Sequence, residues 1–232
     1  MTASHNRVPP SRAGGQPTSY YEAAVERYGL PPPVRMMLEA IPPGATVLEL
    51  GPASGYMTKL MAERGCTVDA IEFNPLDAAK AAVYCRTMVV GSLEEPATLA
   101  RLSGPYDVIV AADVLEHLRS PEETLAMVLP ALSPNGMMLV SLPNVAHKSV
   151  RLSLLKGNFD YTDTGLLDRT HLRLFTLATG RKLFADAGLR IERIEVPLIP
   201  SKRLGWIKNP VKRWFPSLFS MHFVYYLRHM KP

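Results

Sequence analysis

Val47-Leu48-Glu49-Leu50-Gly51-Pro52-Ala53-Ser54-Gly55-Tyr56 is the stretch that decides the fold. An apolar, β-branched run ends in a turn with two glycines, and helical spacing begins directly after it. Glycine lets backbone approach a ligand closely, and amides at the start of a helix point at whatever binds there. In an open α/β sheet such a turn lies at the carboxyl edge of the strands, where nucleotides bind. Glu72 ends the next apolar run, 21 residues after Gly51, where a carboxylate can take both hydroxyls of a ribose. A tight turn followed by a surface Glu is the plain structural alternative.

Working outward, the pattern repeats. Apolar runs fall at Thr46–Leu50, Thr67–Ile71, Thr87–Val90, Tyr106–Ala111 and Met137–Leu142. Helical spacing separates them at Met57–Arg64, Leu76–Tyr84, Ala97–Leu102 and Glu122–Leu132. Alternation at this pitch predicts βαβ units and a parallel sheet covered by helices on both faces. Arg64-Gly65 and Asn135-Gly136 sit where helix C-caps would return the chain to a strand. Beyond residue 142 the rhythm changes. A polar segment, 143–175, precedes a helix at Ala178–Ala187, closed by Gly188, then strands at Leu189–Ile199 and Ser217–Leu227. Two successive strands without a full helix between them are expected to pair antiparallel.

The chain has 232 residues, 47% hydrophobic and 20% charged, which suits one well-cored domain. The expected organisation is a disordered tail at 1–19 and a single domain at 20–232. Within that domain, 20–44 reads as an N-terminal helical lid and 143–175 as the acceptor-site segment. A basic connection spans 200–216. Met1–Ser19 has no hydrophobic region of the secretory kind, no apolar run is long enough to span a bilayer, and Cys66 and Cys85 have no metal-ligand spacing. A cytoplasmic setting is therefore expected. The net charge of +5 is unevenly spread: +2 over residues 1–19, +7 over 201–232 and −4 between them. An acidic body argues against nucleic acid as partner.

Two cofactor classes compete for the turn. A dinucleotide site wants G-x-G-x-x-G, whereas Gly51-x-x-x-Gly55 has Ala53 in the middle. The residues instead resemble the class I S-adenosylmethionine-dependent methyltransferases. Glu49-Leu50-Gly51-Pro52-Ala53-Ser54-Gly55 is similar to their first motif, Glu72 follows the second strand, and Gly91-Ser92-Leu93 follows the third. Asp107 to Leu118, ending in Asp113-Val114-Leu115-Glu116-His117-Leu118, is similar to their fourth segment. The resemblance covers about residues 20–228. It implies a Rossmann-like, seven-stranded sheet, parallel with a C-terminal antiparallel strand pair. It also implies S-adenosylmethionine held by Tyr21, Glu49, Gly51, Pro52, Gly55, Tyr56, Glu72, Ser92, Leu93, Asp113 and Val114. Ser92 departs from the acid that many relatives place there to meet the adenine amino group.

Asp113 and Glu116 also have the spacing of a capping box, and His117 reads as a packed or wall histidine. Ser141–His147, Gly157–Tyr161 and Gly165–Thr176 resemble a branch associated with glycan and natural-product biosynthesis, the bacterial sugar O-methyltransferases of methylated-polysaccharide pathways among them. The resemblance implies methyl transfer to a hydroxyl of a sugar or saccharide. A poor nucleophile of that kind calls for a base, and neutral histidine suits it. His147 is the first candidate, His171 the second, with Asp168 as orienting partner or metal ligand. Asp168, His171 and Asp113 together offer ligands for Mg²⁺. The structural alternatives are an Asp168–Arg169 ion pair and caps at Thr170 and Thr176. An amine acceptor, a quinone or phenol acceptor, and a noncatalytic S-adenosylmethionine-binding module stay open. Lys202, Arg203, Lys208, Lys212 and Arg213, interleaved with Trp206 and Trp214, read as a connection or as a basic flap for a large or anionic substrate, with peripheral lipid contact open.

Overall fold

The computed structural model describes residues 29–197 and 214–230. The expected tail, the first part of the lid expected at 20–44 with Tyr21, and the cations from Lys202 to Arg213 lie outside the described residues, as does the end of the strand expected to reach Ile199.

Seven strands form one sheet: β1 (Thr46–Leu50), β2 (Thr67–Glu72), β3 (Thr87–Val90), β4 (Tyr106–Ala112), β5 (Leu132–Pro143), β6 (Leu189–Glu195) and β7 (His222–His229). Their order is β3-β2-β1-β4-β5-β7-β6. The first five pair in parallel, and β7 lies antiparallel to both β5 and β6. This is the sheet expected from the sequence, with the antiparallel pair inserted at the end.

Among the described residues the α-helices are α1 (Pro32–Ala40), α2 (Tyr56–Glu63), α3 (Pro75–Ala81), α4 (Pro96–Leu99), α5 (Pro121–Val128), α6 (Lys148–Leu155), α7 (Leu177–Asp186) and α8 (Pro216–Phe219). Pro32, Pro75, Pro96, Pro121 and Pro216 each open one, where the missing N–H does no harm.

Alternation along the strands builds two cores. Val47, Val108, Val110 and Leu139 face one way and pack with Met37, Leu38, Met57 and Met61 of α1 and α2. Leu48, Leu50, Ile109, Ala111, Met138 and Val140 face the other way, toward Leu125, Leu183 and Phe184 of α5 and α7. Burial on both faces is why these strands read as continuous apolar runs. Tyr226 of β7 donates to the carbonyl of Met36, tying the antiparallel edge to α1.

Several boundaries differ from expectation. Helix α5 stops at Val128 and tightens into a 3-10 turn, Leu129–Ala131. Pro130 supplies no N–H and crowds the preceding turn, so the α-helix cannot continue. Asn135-Gly136 is no helix cap but lies inside β5. There the β4–β5 register shifts, and a Cβ on Gly136 would stand 2.6 Å from Leu132 Cδ1. Gly65 and Gly188 do follow their helices, at φ of +77° and +75°. Strand β7 starts at His222 rather than Ser217, because Pro216 opens a short helix first.

Candidate active site

The glycine turn is built from short-range constraints at the carboxyl edge. Gly51 and Ala53 have φ of +62° and +51°, and Gly55 caps α2 at +83°. A Cβ on Gly55 would fall 2.7 Å from Ala81 Cα, so α3 packs where only glycine fits. Gly51 donates its N–H to the carbonyl of Ile71 at 2.8 Å. The Glu72 carboxylate accepts from Ala53 N at 2.8 Å and from Asn74 N at 2.9 Å, so it fastens this turn to the next one. Its two oxygens keep acceptor capacity beyond those bonds. Beneath the turn, Glu49 is buried and accepts from Thr58 Oγ1 at 2.6 Å. Burial is the main cause that pushes its carboxyl up to about 7.

The loops after β3 and β4 form the opposite wall. Ser92 turns its hydroxyl to the amide of Glu94, and Glu94 accepts from the amides of Arg119 and Ser120. Asp113 does not cap a helix: it has φ of +53°, and the following 3-10 turn, Leu115–His117, has Val114 at its N-cap position. Ser141 at the end of β5 accepts from Asp113 N and donates to Asp113 Oδ1 at 2.6 Å. Nor does Glu116 reach back as a capping box requires. It is fully buried and neither carboxylate oxygen has a hydrogen-bond partner.

Between these walls lies a cleft of about 850 Å³, a size that suits small-molecule ligands. Gly51, Glu72, Ser92, Leu93, Asp113 and Val114 line it. Glu49, Pro52, Gly55 and Tyr56, expected at the cofactor, are not among its lining residues. Ala53, Asn74, His117 and Thr170 also line it. Ala53 was legible only as the middle of the glycine turn, Asn74 carried no signal of its own, and Thr170 comes from a distant segment. A second cleft, of about 520 Å³, shares Leu172 with the first and is lined by His171, Tyr161 and Arg173. The His117 and His171 rings meet edge to face between the two, 4.9 Å apart. Burial, with His117 next, holds the His171 pKa below the ordinary histidine value, which favours neutral imidazole.

His147 lines neither cleft. It is the N-cap of α6, its Nδ1 accepting from Ser149 N at 3.2 Å. Burial and the neighbouring Lys148 lower its pKa. Asn144 is buried and donates to the carbonyls of Ser217 and Ser220, joining β5 to the segment before β7. Asp168 accepts from Thr170 N and Oγ1, both at 2.8 Å, which folds the loop carrying His171. Arg169 pairs with Asp163 instead of Asp168. Thr176 caps α7 in a reciprocal box with Thr179, while Thr170 caps no helix.

A profile described as "Methyltransferase domain" matches residues 21–194. The ubiquinone biosynthesis O-methyltransferase of Caulobacter vibrioides is 30% identical over 120 residues, covering 50% of this chain and 48% of that protein. The chain thus spans about half the length of that curated relative. The protein of the same name from Psychrobacter arcticus is 26% identical over 178 residues, covering 72% and 68%. Among solved structures, magnesium protoporphyrin IX methyltransferase from Synechocystis, with bound SAH, superposes with a TM-score of 0.61. It shares 16% identity and covers 94% of this chain and 90% of its own. With the sheet order and the matched residues agreeing, the chain belongs to the class I S-adenosylmethionine-dependent methyltransferase family.

Proposed function

We propose that this chain transfers a methyl group from S-adenosylmethionine to the hydroxyl of a small molecule, with a phenol or quinone precursor as the favoured acceptor. The donor site is the larger cleft. Its residues fit a nucleoside with an amino-acid tail: the glycine turn leaves backbone open to the ligand, Glu72 meets the ribose, and Asp113 and Val114 flank the far side. When bound, the sulfonium supplies an electrophilic methyl group. The protein's work is then to position the acceptor in line and to help its hydroxyl lose a proton.

The observation that carries this reading is the meeting of the two clefts at the His117–His171 pair. Donor and acceptor can each occupy one cleft with the reacting atoms at the imidazoles. His171 and His117 assist proton loss, Asp168 shapes the loop that presents His171, and His147 caps α6. The names of the curated relatives support a small-molecule hydroxyl over the saccharide acceptor expected from the sequence. Among the described residues no helix is long and apolar enough to cross a membrane, and the cytoplasmic setting remains part of the proposal.

Labelled methyl donor offered with catechols and other phenols, with sugars and with amines tests this directly. Label should pass to phenolic hydroxyls. Transfer to sugars alone would restore the saccharide reading, and transfer to amines alone would remove the need for assisted proton loss. Donor binding without transfer to any acceptor would leave a noncatalytic binding module.

A further inference from the structure

Among the described residues Glu116 is the least explained side chain. It is fully buried, both carboxylate oxygens are without hydrogen-bond partners, and the methyl-transfer reading gives it no task. Leaving such a group unpaired is costly, and native structures rarely do so without a ligand or a function. Two imidazoles stand beside it. One ligand atom from each of Glu116, His117 and His171 lies within 4.8 Å of the other two.

Main-chain bonds build this convergence. The carbonyl of Glu116 accepts from Leu172 N at 2.8 Å and from Arg173 N at 3.0 Å, so the loop carrying His171 is fastened onto the turn carrying Glu116. His117 Nδ1 lies 3.1 Å from the carbonyl of Thr170, and His171 Nδ1 lies 3.3 Å from that of Leu166. A carbonyl can only accept, so each Nδ1 in these contacts carries a proton. Carbonyls bonded in this way orient the imidazoles of metal sites. The surroundings are acidic as well. Asp113 and Asp168 add their charge to that of Glu116, a setting that favours a dication.

We infer that Glu116, His117 and His171 bind one divalent first-row transition-metal ion where the two clefts meet. Two imidazoles and one carboxylate suit Zn²⁺ or Fe²⁺, whereas Mg²⁺ prefers oxygen ligands throughout. The ligand set thus replaces the Asp113, Asp168 and His171 grouping expected from the sequence. Three protein ligands leave a position open to an acceptor hydroxyl, whose acidity the ion raises. In the transfer, the acceptor oxygen gains the methyl carbon as the carbon–sulfur bond breaks. The hydroxyl proton goes to solvent, and the ion is unchanged. The catalytic half rests on the proposed methyl transfer, but the binding half does not.

The test uses the full chain without an affinity tag, stripped by a chelator and titrated with Zn²⁺ alone. Calorimetry should show one ion per chain, and Co²⁺ in its place should give visible d–d absorption bands. His117→Ala, His171→Ala and Glu116→Gln should each weaken Zn²⁺ by at least about tenfold. His229→Ala, whose imidazole lies against the carbonyl of Leu132, should not. Circular dichroism checks that each variant is folded, and the exposed His117 and half-buried His171 keep the test valid should Glu116→Gln fail to fold. Absent Zn²⁺ binding, or binding that survives the double variant His117→Ala/His171→Ala, overturns the site. Zn²⁺ binding that depends on these ligands, in a protein that methylates nothing, upholds the site and overturns the methyl-transfer reading. Methyl transfer to an acceptor without Zn²⁺ binding does the reverse.

Discussion

The two walls of the larger cleft are made in different ways. On the β1–β2 side the constraints are local and carried by backbone: three left-handed residues within Gly51–Gly55, and one carboxylate, Glu72, bonded to two turn amides. On the β4 side the constraints are distant and carried by side chains. Thr170 and His117 approach across more than 50 residues of chain, and Ser141 holds Asp113 from a different strand. The difference teaches which wall is general and which is particular. A backbone cradle suits any protein that binds the same donor, while an assembly of distant side chains can be changed to choose an acceptor.

Replacing His117 and His171 together by Ala bears hardest on that division. Turnover should fall by roughly 10²–10⁴-fold, much further than donor affinity, measured by calorimetry, falls. A matching loss of donor affinity would mean that the two walls are one site. Glu49→Gln addresses the other side and should shift stability on the order of 3 kcal/mol across the pH range. The Glu49 carboxyl is raised to about 7 by burial in the folded state. The folded protein therefore holds this proton more tightly than the unfolded chain does. That contribution is full below the ordinary carboxylate range and is lost as pH rises through about 7. Thermal melts should show the variant gaining on the unaltered protein between pH 5 and pH 8, and parallel pH profiles would count against a buried Glu49 with a raised pKa.

Gly55→Ala sharpens the backbone half. The new Cβ would meet α3 at 2.7 Å from a residue held at φ of +83°, which should cost about 1–3 kcal/mol of stability in a denaturant melt. Donor affinity should fall with it. Asp163→Ala provides the smallest effect. Its pair with Arg169 is exposed on both sides, so a chemical melt should move by less than about 1 kcal/mol.

The same contrast sets what was legible in the sequence. Gly51, Gly55, Glu72 and the five parallel strands follow from spacing along the chain, because each constraint acts within one βα unit. Burial of both sheet faces left its mark as continuous apolar runs. The boundaries that went astray depended on particular partners: Pro130 ending α5, Gly136 packing on Leu132 within β5, and Pro216 opening α8 before β7. The histidines were harder still. His147 and His171 have the same side chain in similarly polar segments, and only the fold makes one a helix cap and pairs the other with His117. Glu116 sat in plain view, but the capping-box spacing that explained it is not formed.

The most direct measurement of the central claim is calorimetric titration of S-adenosylhomocysteine into the unaltered chain and into Glu72→Ala. A single site is predicted, weakened at least about tenfold by the loss of a charged acceptor, with no binding of NAD. Equal affinity in the two proteins, or NAD bound in place of S-adenosylhomocysteine, would contradict it.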